Sequence, residues 1–123
     1  MERFQKELTR DQERILHACG TEPPFSGKLL YNKEQGAYLC AGCGAALFTS
    51  DVKFDSGTGW PSFFQPVSAE AIEEQRDESH GLARIEVRCN ACKGHLGHVF
   101  EDGPRPTGLR YCINSAALEF EKN

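Results

Sequence analysis

The sequence predicts a mostly β fold, and three observations carry that prediction. Twelve glycines and six prolines in 123 residues break the chain too often for a helical bundle. Long helical periodicity is scarce. Alternation of apolar and polar residues, by contrast, marks Gly81–Cys89 and the stretch from Leu109 to Ser115. The length suits one domain, residues 1–123, with a core that needs no disulfide staples. A net charge of −4 argues against a nucleic-acid-binding surface. No apolar run is long enough to span a membrane and the N-terminus is charged rather than signal-like, so a cytoplasmic protein is expected.

Taken in order, Thr9-Arg10-Asp11-Gln12 has the pattern of a capping box, a hydroxyl followed three positions later by glutamine. The helix it starts carries Ile15, Leu16 and Cys19 on one side and stops at Gly20, while Phe4 and Leu8 suggest a shorter apolar contact before it. Gly20 to Gly27 is irregular, because Pro23 and Pro24 forbid a helix or a central strand. Ala37 to Leu39 reads as a short strand, and Ala46-Leu47-Phe48 as a buried connector. Phe54 to Phe64 is a loop dense in glycine and aromatic residues around Trp60, suited either to plugging the core or to lining a pocket. Ala71 to Gln75 is read as a strand that pairs with the segment after it. In Gly81–Cys89 the apolar face is Ala83, Ile85, Val87 and Cys89. Glu101 to Gly108 turns the chain back, so that the strand of Cys112 neighbours His95–Phe100, and Ala116 to Phe120 closes the fold before a charged tail.

Six cysteines sit on this frame, and four form two pairs, Cys40-Ala41-Gly42-Cys43 and Cys89-Asn90-Ala91-Cys92. The two-residue spacer turns both sulfurs of a knuckle towards one ion, and two knuckles complete a tetrahedral thiolate site. Zinc is the expected structural metal, iron the second choice, and paired redox motifs or surface disulfides the competing readings. Cys19 and Cys112 remain. On the strand of Cys112, Leu109, Tyr111 and Ile113 form an apolar face, and Arg110, Cys112 and Asn114 form the other. A cationic neighbour favours the reactive thiolate, whereas a half-buried inert thiol is the plainer alternative. His95 and His98 come soon after the second knuckle and are surplus to a four-sulfur site, free for chemistry or for bracing a wall. Cysteine with histidine and asparagine fits either acyl transfer or attack on an oxidised sulfur.

The knuckles occur together with Gly20-Thr21-Glu22, Ser56-Gly57-Thr58-Gly59-Trp60-Pro61-Ser62-Phe63, His95-Leu96-Gly97-His98-Val99-Phe100 and Arg110-Tyr111-Cys112-Ile113-Asn114-Ser115. In this combination and order, from about Leu8 to Phe120, the chain resembles the methionine-R-sulfoxide reductase (MsrB) family. The resemblance implies a β-tent of two antiparallel sheets with short N-terminal helices and a structural zinc. It implies reduction of methionine-R-sulfoxide, free or within proteins, through a sulfenic acid on Cys112. Arg110 would favour the thiolate, and His95 and His98 would bind and protonate the sulfoxide oxygen, supported by Asn114 and Asp102. Trp60 would hold the substrate methyl, with Phe100 beside it. Many relatives place a resolving cysteine where this chain has Thr58, so recycling falls to Cys19 or to thioredoxin or another thiol acting on Cys112 directly. A monomer is expected. The rival class is a zinc-pinned β binding module, which would not need Cys112, His98 and Trp60 together.

Overall fold

The computed structural model describes residues 9–18, 20–78 and 84–122. The expectations for Phe4, Leu8, Cys19 and residues 81–83 lie outside them. Helix α1 (Arg10–Ala18) starts on the capping box: Thr9 N–H donates to Gln12 Oε1 at 2.9 Å, and Gln12 N–H donates to Thr9 Oγ1 at 3.1 Å. Ile15 and Leu16 on it are buried. Gly20 N–H returns to the Arg14 carbonyl at 3.0 Å, satisfying a carbonyl the helix end would leave open.

Nine strands come after it among the described residues: β1 (Gly36–Cys40), β2 (Ala46–Thr49), β3 (Lys53–Phe54), β4 (Ser62–Phe63), β5 (Ile72–Asp77), β6 (Arg84–Cys89), β7 (His95–Phe100), β8 (Arg110–Ile113) and β9 (Leu118–Lys122). They make two antiparallel sheets, one of three strands in the order β2-β1-β9 and one of six in the order β3-β4-β8-β7-β6-β5. The two-sheet, mostly β architecture is the one expected. The core lies where the sheets face each other. Phe48 of the small sheet stacks on Phe63 of the large one with ring centroids 4.4 Å apart, and Tyr38 meets Phe63 edge-on at 5.1 Å. Truncating Phe48 to alanine would cost about 3–5 kcal/mol at such a site. No helix among the described residues is long and apolar enough to cross a membrane.

Several elements differ from the sequence reading, each for a local reason. The connector Ala46-Leu47-Phe48 is strand β2, paired with β1. Leu47 and Phe48 are both fully buried on opposite faces, so no alternation marks them. The aromatic loop contains the two-residue strand β4, too short for a periodic signal. On β6 the expected face holds at Val87 and Cys89, both fully buried, but Ile85 and Glu86 exchange places, with Glu86 buried (7% exposed) and Ile85 38% exposed. The carboxylate is tolerated inside because His95 Nδ1 lies 2.7 Å and Arg88 Nε 3.2 Å from its Oε2. At the C-terminus Ser115–Ala117 forms a short 3₁₀ turn, and the charged tail joins β9 through Lys122.

Candidate active site

The two knuckles are one design used twice. In the first, Gly44 N–H bonds to the Cys40 carbonyl at 2.8 Å and Cys40 N–H to the Ala45 carbonyl at 2.8 Å. In the second, Lys93 N–H bonds to the Cys89 carbonyl at 2.7 Å and Cys89 N–H to the Gly94 carbonyl at 2.9 Å. Both turns pass through the left-handed region, Gly44 at φ 83° and Lys93 at φ 66°. This brings the four sulfurs within 4.8 Å of one another, with Cys40 and Cys92 at 3.6 Å and Cys43 and Cys89 at 3.5 Å. A tetrahedron of thiolates around zinc, with bonds of about 2.3 Å, has edges of about 3.8 Å. The cluster is therefore compatible with a structural metal site. Hydrogen bonding from Cys40 pulls the Cys89 thiol down, while burial pushes Cys43 up. A divalent ion is what lets all four ionise together.

Cys112 lies on β8, opposite Ser62 of β4 on one side and His98 of β7 on the other. Arg110, two residues back on the same face, donates Nη1–H to the Cys112 sulfur at 3.1 Å. The guanidinium is itself fixed: Asp102 accepts from Nε at 2.8 Å and from Nη2 at 3.0 Å, and the Phe100 ring lies 4.5 Å beneath it. Two hydroxyls complete the surroundings, Thr58 Oγ1 at 3.4 Å and Ser62 Oγ at 3.9 Å. Close strand approach forms the floor, where a side chain at Gly97 would collide with the Cys112 carbonyl.

Trp60, Phe100, His98, Arg110, Cys112 and Asn114 line one cavity of about 270 Å³, together with Thr58 and Arg84. Six of the site residues read from the sequence are thus brought together. Asp102 stands behind Arg110 and is largely exposed. His95 is buried, 3% exposed, beside His98 with ring centroids 5.5 Å apart but away from the cavity wall. Its Nδ1 is committed to Glu86, and its Nε2 is buried without a hydrogen-bond partner among the described residues. His98 Nε2 lies 2.8 Å from Asp77 Oδ2. Burial pushes the His98 imidazole below its usual range, against the opposing pull of Asp77.

Sequence reasoning overlooked Glu22, whose polar groups fasten the site together. Its backbone N–H donates to Asn114 Oδ1 at 3.0 Å, and its carbonyl accepts from Trp60 Nε1 at 2.9 Å. Its carboxylate takes Ser115 N–H at 2.9 Å and Ala116 N–H at 3.1 Å. Asn114 is bound further, Nδ2 to the Leu96 carbonyl at 2.9 Å, so its amide is occupied on both ends. Nothing local announces these bonds, most of which join residues far apart in the chain, although Glu22 does sit in the Gly20-Thr21-Glu22 motif. Asp77 and Glu86, the acidic partners of the two histidines, were likewise unread.

Fold and site together define a class: two-sheet β proteins braced by a four-cysteine cluster and carrying a cation-flanked thiol in an aromatic-walled cavity. The SelR domain model matches residues 8–122. The chain is 60% identical to the peptide methionine sulfoxide reductase MsrB of Leptospira interrogans, covering 98% of this chain and 92% of that protein. It is 60% identical to the protein of the same name from Pseudomonas aeruginosa, covering 97% and 90%. For the Methanosarcina barkeri protein, also so named, identity is 57% with 98% and 84% covered. The chain belongs to the MsrB family.

Proposed function

We propose that this chain reduces methionine-R-sulfoxide, free or within proteins, to methionine, with Cys112 as the nucleophile. Relatives bearing the name peptide methionine sulfoxide reductase over nearly the full chain support the reaction class. The observation that carries the reading is the Cys112 sulfur, held by Arg110 at 3.1 Å, in one cavity with His98 and Trp60.

The chemistry is built from those groups. The thiolate attacks the sulfoxide sulfur, forming an S–S bond while His98 protonates the oxygen, and the resulting hydroxyl then passes to the Cys112 sulfur as the S–O and S–S bonds to the substrate sulfur break. The oxygen ends on Cys112 as sulfenic acid, and the substrate sulfur leaves as the thioether, reduced by two electrons. Two thiols then return Cys112–SOH to the thiol, forming one disulfide and one water. Trp60 takes the methyl and the histidine side takes the oxygen, so the remaining arm fixes handedness and selects one epimer. Thr58 cannot resolve the sulfenic acid, which leaves Cys19, thioredoxin or another thiol. Zinc is the metal best suited to Cys40, Cys43, Cys89 and Cys92. When bound it braces both hairpins and leaves no coordination position for a reactant. The reading takes the chain as a monomer working in a reducing cytoplasm, where the knuckle thiols stay free of disulfides.

Mass spectrometry after a single turnover without reductant tests this. One oxygen added at Cys112, or a Cys19–Cys112 bridge, is the expected product, with the R epimer alone consumed. Unmodified protein and unconsumed sulfoxide of both epimers would overturn the proposal.

A further inference from the structure

His98 meets the cavity with one ring nitrogen already engaged. Its Nε2 lies 2.8 Å from Oδ2 of Asp77, whose side chain is 18% exposed. Asp77 is not itself among the residues lining the cavity. Arg84 stands at the same carboxylate, with Nη2 3.4 Å from Oδ2. Asp77 and Arg84 are register partners on β5 and β6, and His98 is on β7, so three neighbouring strands supply one member each. An ionised carboxylate only accepts, which assigns the shared hydrogen to Nε2.

The geometry points to Asp77 as the positioning residue of His98: it fixes the ring and its Nε2–H tautomer, leaving Nδ1 to exchange the proton with bound substrate. This inference rests on the reading of His98 as proton donor. Burial works against such a donor by disfavouring the imidazolium, and the Arg84 and His95 charges act in the same direction. The Asp77 hydrogen bond opposes them. Among the described residues, the other ionisable groups facing His98 are Glu86, its register partner on β6, Cys112, its partner on β8, and Arg110, which lines the same cavity. Glu86 Oε2 is committed to His95 and Arg88, and Arg110 to Asp102 and Cys112. Among the described residues Asp77 is thus the carboxylate in hydrogen-bond contact with the ring, an orienting arrangement that recurs wherever an imidazole must keep one tautomer.

The test compares wild type, Asp77→Asn and Asp77→Glu by single-turnover rate against pH and by nitrogen NMR of the His98 ring. In Asp77→Asn the alkaline limb moves down by about one pH unit. Its kcat falls about 10–100-fold with KM unchanged, and the Nε2–H signature is lost. Asp77→Glu recovers part of the rate and the limb. Wild-type limb and ring signals in Asp77→Asn would overturn the assignment. Should that variant fail to fold, Arg84→Gln removes a charge that disfavours the imidazolium, and the limb must move up; a limb that stays would equally overturn it. A wild-type protein that consumes no methionine sulfoxide defeats the proposed function instead, while the ring signals still decide the Asp77–His98 contact.

Discussion

Cysteine is used in two opposite ways in this molecule. Cys40, Cys43, Cys89 and Cys92 have one another as neighbours, four sulfurs within 4.8 Å. Cys112 has instead a guanidinium at 3.1 Å and hydroxyls at 3.4 and 3.9 Å. The first environment suits a soft cation and is closed to reactants. The second leaves a single sulfur under a guanidinium at the wall of an open cavity. Strand β7 joins them, leaving the second knuckle at its start and carrying His98 to its place opposite Cys112. Neighbours, rather than residue type, set what each thiol does.

The contrast is most sharply tested by removing one sulfur from each side. Cys112→Ser should lower sulfoxide reduction by about 10⁴-fold or more, with metal content and melting temperature unchanged. Cys89→Ser should do the reverse in kind: bound zinc, measured by elemental analysis, is lost and the cooperative melting transition collapses. A Cys89→Ser protein that melts like wild type would show that the cluster braces nothing. Next in size, Arg110→Gln removes the charge at the Cys112 sulfur and should cost about 10–100-fold in single-turnover rate, the worth of a charge-assisted hydrogen bond. Thr58→Val removes only a hydroxyl contact and should cost about 5-fold.

The smallest effect concerns stability. Burial pushes Glu86 up, but hydrogen bonds from His95 and Arg88 outweigh it and hold the carboxyl below its ordinary value. A depressed carboxyl contributes stability that is full above the unfolded value near 4.3 and is lost as pH falls through the folded one. Glu86→Gln should therefore flatten the fall of melting temperature on acidification below about pH 5. An unchanged acid limb would show that the buried carboxylate is not what the pH dependence reports.

What the sequence revealed and what it hid divide along similar lines. The capping box at Thr9, the two knuckles and the faces of β8 depend on spacings of two to four residues, and such spacings are visible in one dimension. On β8 the expected division holds, with Tyr111 and Ile113 buried and Arg110 and Cys112 on the cavity side. The cavity walls at Trp60, His98 and Asn114 were legible through the family resemblance. The failures come from partners far along the chain. Glu86 turns inward where His95, nine residues on, reaches it across a hairpin and Arg88 meets the same oxygen. Strand β4 exists because Ser62 and Phe63 find β8 nearly fifty residues later. Glu22, exposed by composition and buried in fact at 6%, acts across 92 residues on Asn114.

Through Glu22 the indole and the Asn114 carboxamide share one anchor, and Thr21 beside it helps line the cavity. Whatever displaces this short tether slackens both walls at once, so occupancy of the hollow and fastening of the tether belong to one equilibrium. By reciprocity, a guest that presses the indole into place also steadies the stretch that begins one residue after Cys19.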